Sequence, residues 1–182
     1  MRLRLRDLVC ALALLSLPAV AEAGPDPAKI RAAADSFEAG ARAYKEGRFE
    51  EAAGHFAASD MAVPSAKALR LALKSRLEAK QTARAASLAA LALTRNADDA
   101  ETKQLAEDTI RAEGANLHKL DVSCASPCLL AVGTRIVHGE AATRWTLYLA
   151  PGSEEVSASF LGAISAPGQQ VAATKGGKSS IR

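Results

Sequence analysis

The chain has 182 residues, enough for one medium domain or two small ones. Its formal net charge of +3, from 23 basic and 20 acidic side chains, gives no electrostatic case for a nucleic-acid partner. Apolar residues make up 49%, many of them alanine, while aromatics are only 4%; this points to a helical part of modest packing energy rather than a core of large side chains.

Residues 1–23 have the pattern of a cleaved secretory signal. Arg2, Arg4 and Arg6 form a basic start, Leu8 to Val20 is apolar, and Ala21-Glu22-Ala23 is an A-x-A cleavage site. The apolar run is well short of the roughly 20 residues that span a bilayer. The expectation is therefore a Sec-exported protein, periplasmic or extracellular, with no transmembrane anchor after cleavage. Cleavage would also remove Cys10 and leave Cys124 and Cys128 as an even pair in an exported chain, which favours a disulfide.

Residues 24–28, with Pro25 and Pro27, read as a short linker. From Lys29 the period becomes helical: Ile30, Ala33 or Ala34, Phe37, Ala41 and Tyr44 fall three and four apart. Gly47 ends this helix. Phe49, Ala52, Ala53, Phe56 and Ala57 mark a second helix running to about Met61, and Pro64 forbids its continuation. The spacing of Gly40, Gly47, Phe49, Ala52, Phe56 and Pro64 resembles a tetratricopeptide repeat, a 34-residue helix–turn–helix unit. The resemblance implies close helix packing at Gly40 and Ala52, with Phe49 and Phe56 in the core. Ser36 stands where the family has a large aromatic, and Phe37 is placed to substitute for it.

A second, degenerate unit follows about 33 residues later. Leu69, Leu71, Ala72, Leu73 and Leu77 form one helix, Ala79 to Thr82 the turn, and Ala85, Leu88, Ala89, Ala92 and Leu93 the next helix. It lacks the turn glycine, the aromatics and the closing proline. Asp98 or Asp99 can cap a fifth helix from Ala100 to about Glu113, with Leu105, Ala106, Thr109 and Ile110 on one stripe. That helix would cover the open end of the stack.

At Asn116 the period changes to two. His118 to Val122, Cys128 to Val132, Arg135 to Val137, Trp145 to Leu149, Val156 to Phe160, Gln170 to Thr174 and Ser179 to Ile181 are strand candidates separated by glycine and proline turns. Several short strands at this spacing predict a small all-β sandwich. Cys124 and Cys128 around Pro127, Gly133, and Leu149-Ala150-Pro151-Gly152 leading to Val156 and Ala158 resemble the PEGA-type β-sandwich of bacterial envelope proteins. Ala150-Pro151-Gly152-Ser153 stands where that family has its naming tetrapeptide. The fold class expected is thus α+β in two parts: a tetratricopeptide-like module of about five helices over residues 29–115, then a PEGA-like β-sandwich over residues 116–182.

In an extended strand, residues four apart lie about 13 Å apart at ~3.3 Å per residue. A Cys124–Cys128 bond therefore requires a chain reversal, for which Ser126-Pro127 is a suitable turn. Cys-x3-Cys is not the redox spacing, and no second Cys/His pair completes a zinc site, so the pair is read as structural. His55, His118 and His138 have no ligand spacing to one another and are read as solvated or interdomain. No nucleophile motif or phosphate loop is present, and Lys175 to Ser180 reads as a hairpin turn. Glu50, Glu51, Asp98 and Asp99 favour helix starts.

The sequence therefore predicts a non-enzymatic, exported scaffold or interaction protein without cofactor or metal. Because first helices of tetratricopeptide-like repeats face inward, the resemblance makes Arg42, Lys45, Lys67, Arg70 and Lys74 candidates to line a groove for a partner protein or peptide. Trp145 alternates with Leu147 and Leu149 toward the core. Tyr148 falls on the opposite face and is the candidate surface contact of the β part. An alternative is a cell-wall or surface-polysaccharide contact through that β part and Tyr148.

Overall fold

A computed structural model describes residues 26–162 and 166–182. The secretory signal expected over residues 1–23, with Cys10, lies outside the described residues. The described residues form five α-helices followed by six strands, the α+β layout expected.

α1 spans Pro27–Lys45 and starts within the expected linker. The Asp26 carboxylate accepts the Ala28 N–H at 2.9 Å, and Pro27 opens the helix where an N–H would have no partner anyway. Gly47, at φ 74°, closes the turn into α2, Phe49–Ala62, which stops at extended Val63 before Pro64. α3 is Ala66–Glu78, capped by Ser65, and α4 is Thr82–Arg95. The α3–α4 turn repeats the α1–α2 turn without its glycine: Lys80 takes the left-handed conformation, at φ 59°. α5, Ala100–Glu113, is capped by Asp99, whose carboxylate accepts the Thr102 N–H at 2.8 Å.

The helical core is built from small residues. Ala43, Ala52, Ala72, Ala89, Ala92 and Ala106 are fully buried around Phe56, Leu69 and Leu73. A Cβ on Gly40 would lie 2.9 Å from the Phe56 ring, so only glycine allows α1 and α2 this approach. Phe37 meets Phe56 edge to face, with ring centroids 5.3 Å apart.

The strands are β1 His118–Val132, β2 Arg135–Ile136, β3 Ala142–Leu149, β4 Gly152–Phe160, β5 Gln169–Ala173 and β6 Lys178–Ile181. The runs at residues 118–122 and 128–132, expected as separate strands, are one 15-residue strand. Its pairing register with β3 shifts between Ser123 and Cys128, where the Cys124–Cys128 disulfide bridges Cα atoms 6.3 Å apart. The local departure from extended geometry that the bond requires is therefore a bulge within one strand, not a turn between two. The first half of β1 pairs with β3 and, in parallel, with β6; the second half pairs with β4 and β2, and β5 continues from β4. All six strands thus join one hydrogen-bonded sheet through β1. Side chains from both halves, among them Leu120, Leu130, Trp145, Leu147, Val156 and Val171, enclose a single core.

The sheet packs directly on the helices. Tyr148, Leu117 and Ala86 form a buried cluster with Ala83 and Ala90 of α4 and Ile110 of α5 around it. The Ser87 hydroxyl on α4 accepts the Tyr148 N–H at 2.9 Å. Among the described residues no helix is long and apolar enough to cross a membrane.

Candidate functional site: a cleft between the helices and the sheet

Two features of the helix–sheet junction carry buried charge. The first is a clamp. Asp60, fully buried near the end of α2, is bonded by three elements. Arg95 Nη2 at the end of α4 reaches both carboxylate oxygens at 2.5 Å. His138 Nε2, between β2 and β3, donates to Oδ2 at 2.7 Å, and the Ser65 N–H donates to Oδ1 at 2.9 Å. Burial alone would raise the pKa of Asp60. The hydrogen bonds from His138, Arg95 and the Ser65 N–H outweigh it and hold the carboxyl below its usual range. The clamp fixes the β2–β3 loop against α2. Beside it, Gly139 stacks so closely on Trp145 that a Cβ would lie 2.9 Å from the ring.

The second feature is a cleft of about 270 Å³ opening next to this clamp, between α2, α3 and α4 on one side and β2, β3 and β4 on the other. Its wall is largely apolar, with Met61, Leu88 and Ile136 among its residues, and His138 lies at the clamp end. Its polar lining includes three arginines. Arg76, on α3, is only 7% exposed, and its one direct acceptor is the neutral Gln81 amide oxygen at 2.5 Å. Arg84, on α4, donates to the same oxygen at 3.0 Å and lies 3.6 Å from Glu50. Arg135, on β2, is exposed, and its side chain has no hydrogen-bond or ion-pair partner among the described residues. Burial, and then the charge of Arg84, push the Arg76 pKa down to about 10; Glu50 opposes this and Arg135 adds to it. Arg84 is lowered by burial and then by Arg135, with Glu50 opposing. The cleft is thus an amphipathic space lined by three cations, two from the helices and one from the sheet.

The residues singled out from the sequence are dispersed by comparison. Tyr148 does face away from Trp145, as alternation predicts, but that face is not free surface. It lies beneath α4, leaving Tyr148 9% exposed, with part of the side chain on the cleft wall. A period of two identifies the face but not what covers it. Arg70 does not stand free in a groove: it donates to Asp99 at 2.8 Å and Thr102 at 3.0 Å and pairs with Glu101 at 2.8 Å, tying α3 to α5. Arg42 lies 3.9 Å from Glu38, and the Lys67 ammonium sits 5.1 Å above the Phe37 ring. Lys45 and Lys74 are exposed and have no ion-pair partner among the described residues. Of the histidines, His55 lies 3.6 Å from Glu51, His138 is interdomain, and His118 is buried within the β part. His118 Nδ1 accepts the Thr174 N–H at 3.1 Å, which places the ring proton on Nε2, 2.7 Å from Ser179 Oγ.

Asp60 and Arg76 were not legible as site residues from spacing alone, yet both left a signal. Arg76 continues the stripe of Leu69, Ala72 and Leu73, and Asp60 continues that of Ala52, Ala53 and Phe56. A charge on the apolar stripe of a helix requires a buried partner.

Fold and site together define a two-part α+β protein in which a small sheet domain is clamped onto a helical array around an amphipathic cleft. Comparison with protein-family models, with curated proteins and with solved structures finds no match.

Proposed function

We propose that this is an exported, non-enzymatic interaction protein whose helical module takes an acidic stretch of a partner protein along α1 and α3, while the β part contacts envelope or surface components. The observation that carries this reading is a set of cations without acids. Lys45, Lys67 and Lys74 are exposed on α1 and α3, and none forms an ion pair among the described residues. The sheet docks elsewhere, against α4, the end of α2 and Ile110 of α5, so these lysines remain accessible. Exposed cations without acidic neighbours steer an acidic partner and speed its association. The export element of the proposal rests on the residue 1–23 pattern, and the inward orientation of α1 and α3 rests on the tetratricopeptide resemblance.

The experiment is a pull-down from envelope extract with the mature chain, joined to a direct titration with a labelled poly-glutamate peptide. Lys67→Glu/Lys74→Glu is compared with wild type and with Lys29→Glu/Arg31→Glu, which reverses the same charge at the exposed start of α1. The reading expects a salt-sensitive complex that is lost in the first variant and kept in the second. Recovery of the same proteins, in the same yield, with Lys67→Glu/Lys74→Glu would end it. Arg70 is left unchanged because its reversal would break the α3–α5 tie.

A further inference from the structure

A buried cation normally has an anionic partner. Arg76 has none within 4 Å in the described chain: only the neutral Gln81 oxygen accepts from it, and Arg84 shares that oxygen. The nearest carboxylates do not fill the gap. Glu50 is largely exposed and already accepts the Gln81 amide at 2.7 Å. Glu154 lines the cleft but pairs with none of the three arginines. Three guanidinium groups therefore line one cleft in which Glu154 is the one carboxylate among the lining residues, and the rest of the wall is largely apolar. Guanidinium groups match a carboxylate in geometry, and Met61, Leu88 and Ile136 match a hydrocarbon chain.

We infer that the cleft between α3–α4 and the β2–β3 edge binds a small organic anion with an apolar body, a medium-chain carboxylate, its head group held by Arg76, Arg84 and Arg135 and its chain laid along Met61, Leu88 and Ile136. The size agrees: at about 270 Å³ the cleft lies at the small end of ligand clefts, which run from roughly 300 to 1,000 Å³. Glu154 disfavours the head group at the β4 end and so orients it toward α3 and α4. This site lies on the sheet-covered side of the helices, separate from the α1–α3 lysines, and does not depend on the peptide-binding proposal.

The test is isothermal titration of the mature chain with decanoate below its micellar concentration, with decan-1-ol and acetate as the uncharged and chainless comparators. The expected result is saturable one-to-one binding of decanoate, with decan-1-ol and acetate each weaker by about tenfold or more, since hydrogen bonds to a charged group and apolar burial each supply that much. Arg84→Gln/Arg135→Gln, at two of the less buried cluster positions, is expected to weaken decanoate by about tenfold while leaving the melting temperature and decan-1-ol binding unchanged. Ala83→Leu, which places a larger side chain at the cleft wall, is expected to weaken both. Absence of saturable decanoate binding to the wild type, equal affinity for decan-1-ol, or an arginine variant of wild-type decanoate affinity would each overturn the inference.

Discussion

Replacing Asp60 by alanine tests whether the buried clamp holds the two parts of the molecule together. The substitution removes one carboxylate but orphans three donors: the Arg95 guanidinium, with a side chain 21% exposed, the His138 Nε2–H, with a side chain 13% exposed, and the Ser65 N–H. Breaking a buried ion pair from one side costs about 3–5 kcal/mol, because the remaining charge is left without a partner. In a chain of this size, 1 kcal/mol moves the melting temperature by roughly 2–4 °C, so the expected fall is about 6–20 °C. Thermal and urea unfolding of Asp60→Ala measure it. His138→Ala, alone and combined with Asp60→Ala, then gives the coupling across the interface, expected to be about 1 kcal/mol or more. Amide exchange should rise first in the β2–β3 loop, which loses its anchor to α2. A melting temperature within about 3 °C of wild type, with no coupling to His138, would refute the view that this carboxylate joins the two parts.

The pH dependence follows from the same group. The folded pKa of Asp60 is depressed, so its contribution is fully present above the unfolded value of about 3.9 and is lost as pH falls through the folded value; wild type should lose stability over that acid range more steeply than Asp60→Asn. Lys80→Gly is expected to raise stability by about 0.5–1 kcal/mol, because relief of the left-handed strain at φ 59° exceeds the added freedom of the unfolded chain; an unchanged or lower urea midpoint contradicts this. Gly54→Ala, exposed in α2 with open space around a Cβ, should gain about 0.5–1 kcal/mol from helix propensity, whereas Gly40→Ala should lose up to about 2 kcal/mol, since the contact with the Phe56 ring outweighs the same gain; equal effects in urea unfolding would show the α1–α2 approach to be loose. Opening the Cys124–Cys128 bridge by the double alanine variant should cost about 2 kcal/mol, read as a lower melting temperature, because only a short loop is released.

Local chemistry made much of the architecture legible. Three- and four-residue periods, Gly47, Pro64 and Asp99 marked five helices, and the change to a period of two at Asn116 marked the β part. A pair of cysteines four apart, in a chain read as exported, gave the disulfide. These signals act over a few residues, so they survive without knowledge of the fold. The boundary at Pro27 was the exception: prolines at 25 and 27 suggest a linker, but Asp26 and Pro27 together make a helix start.

The junction was decided only in three dimensions. Periodicity states which face of Tyr148 or Arg70 is turned where, but not that α4 will cover the first or that Asp99 and Glu101 will engage the second. Asp60 meets Arg95 across 35 positions of sequence and His138 across 78, and Arg76, Arg84 and Arg135 reach one cleft from three separate elements. A charge on a helix stripe announces that it needs a partner; which partner it finds, or whether it is left facing a cavity, depends on how separately formed elements pack, and no local pattern encodes that.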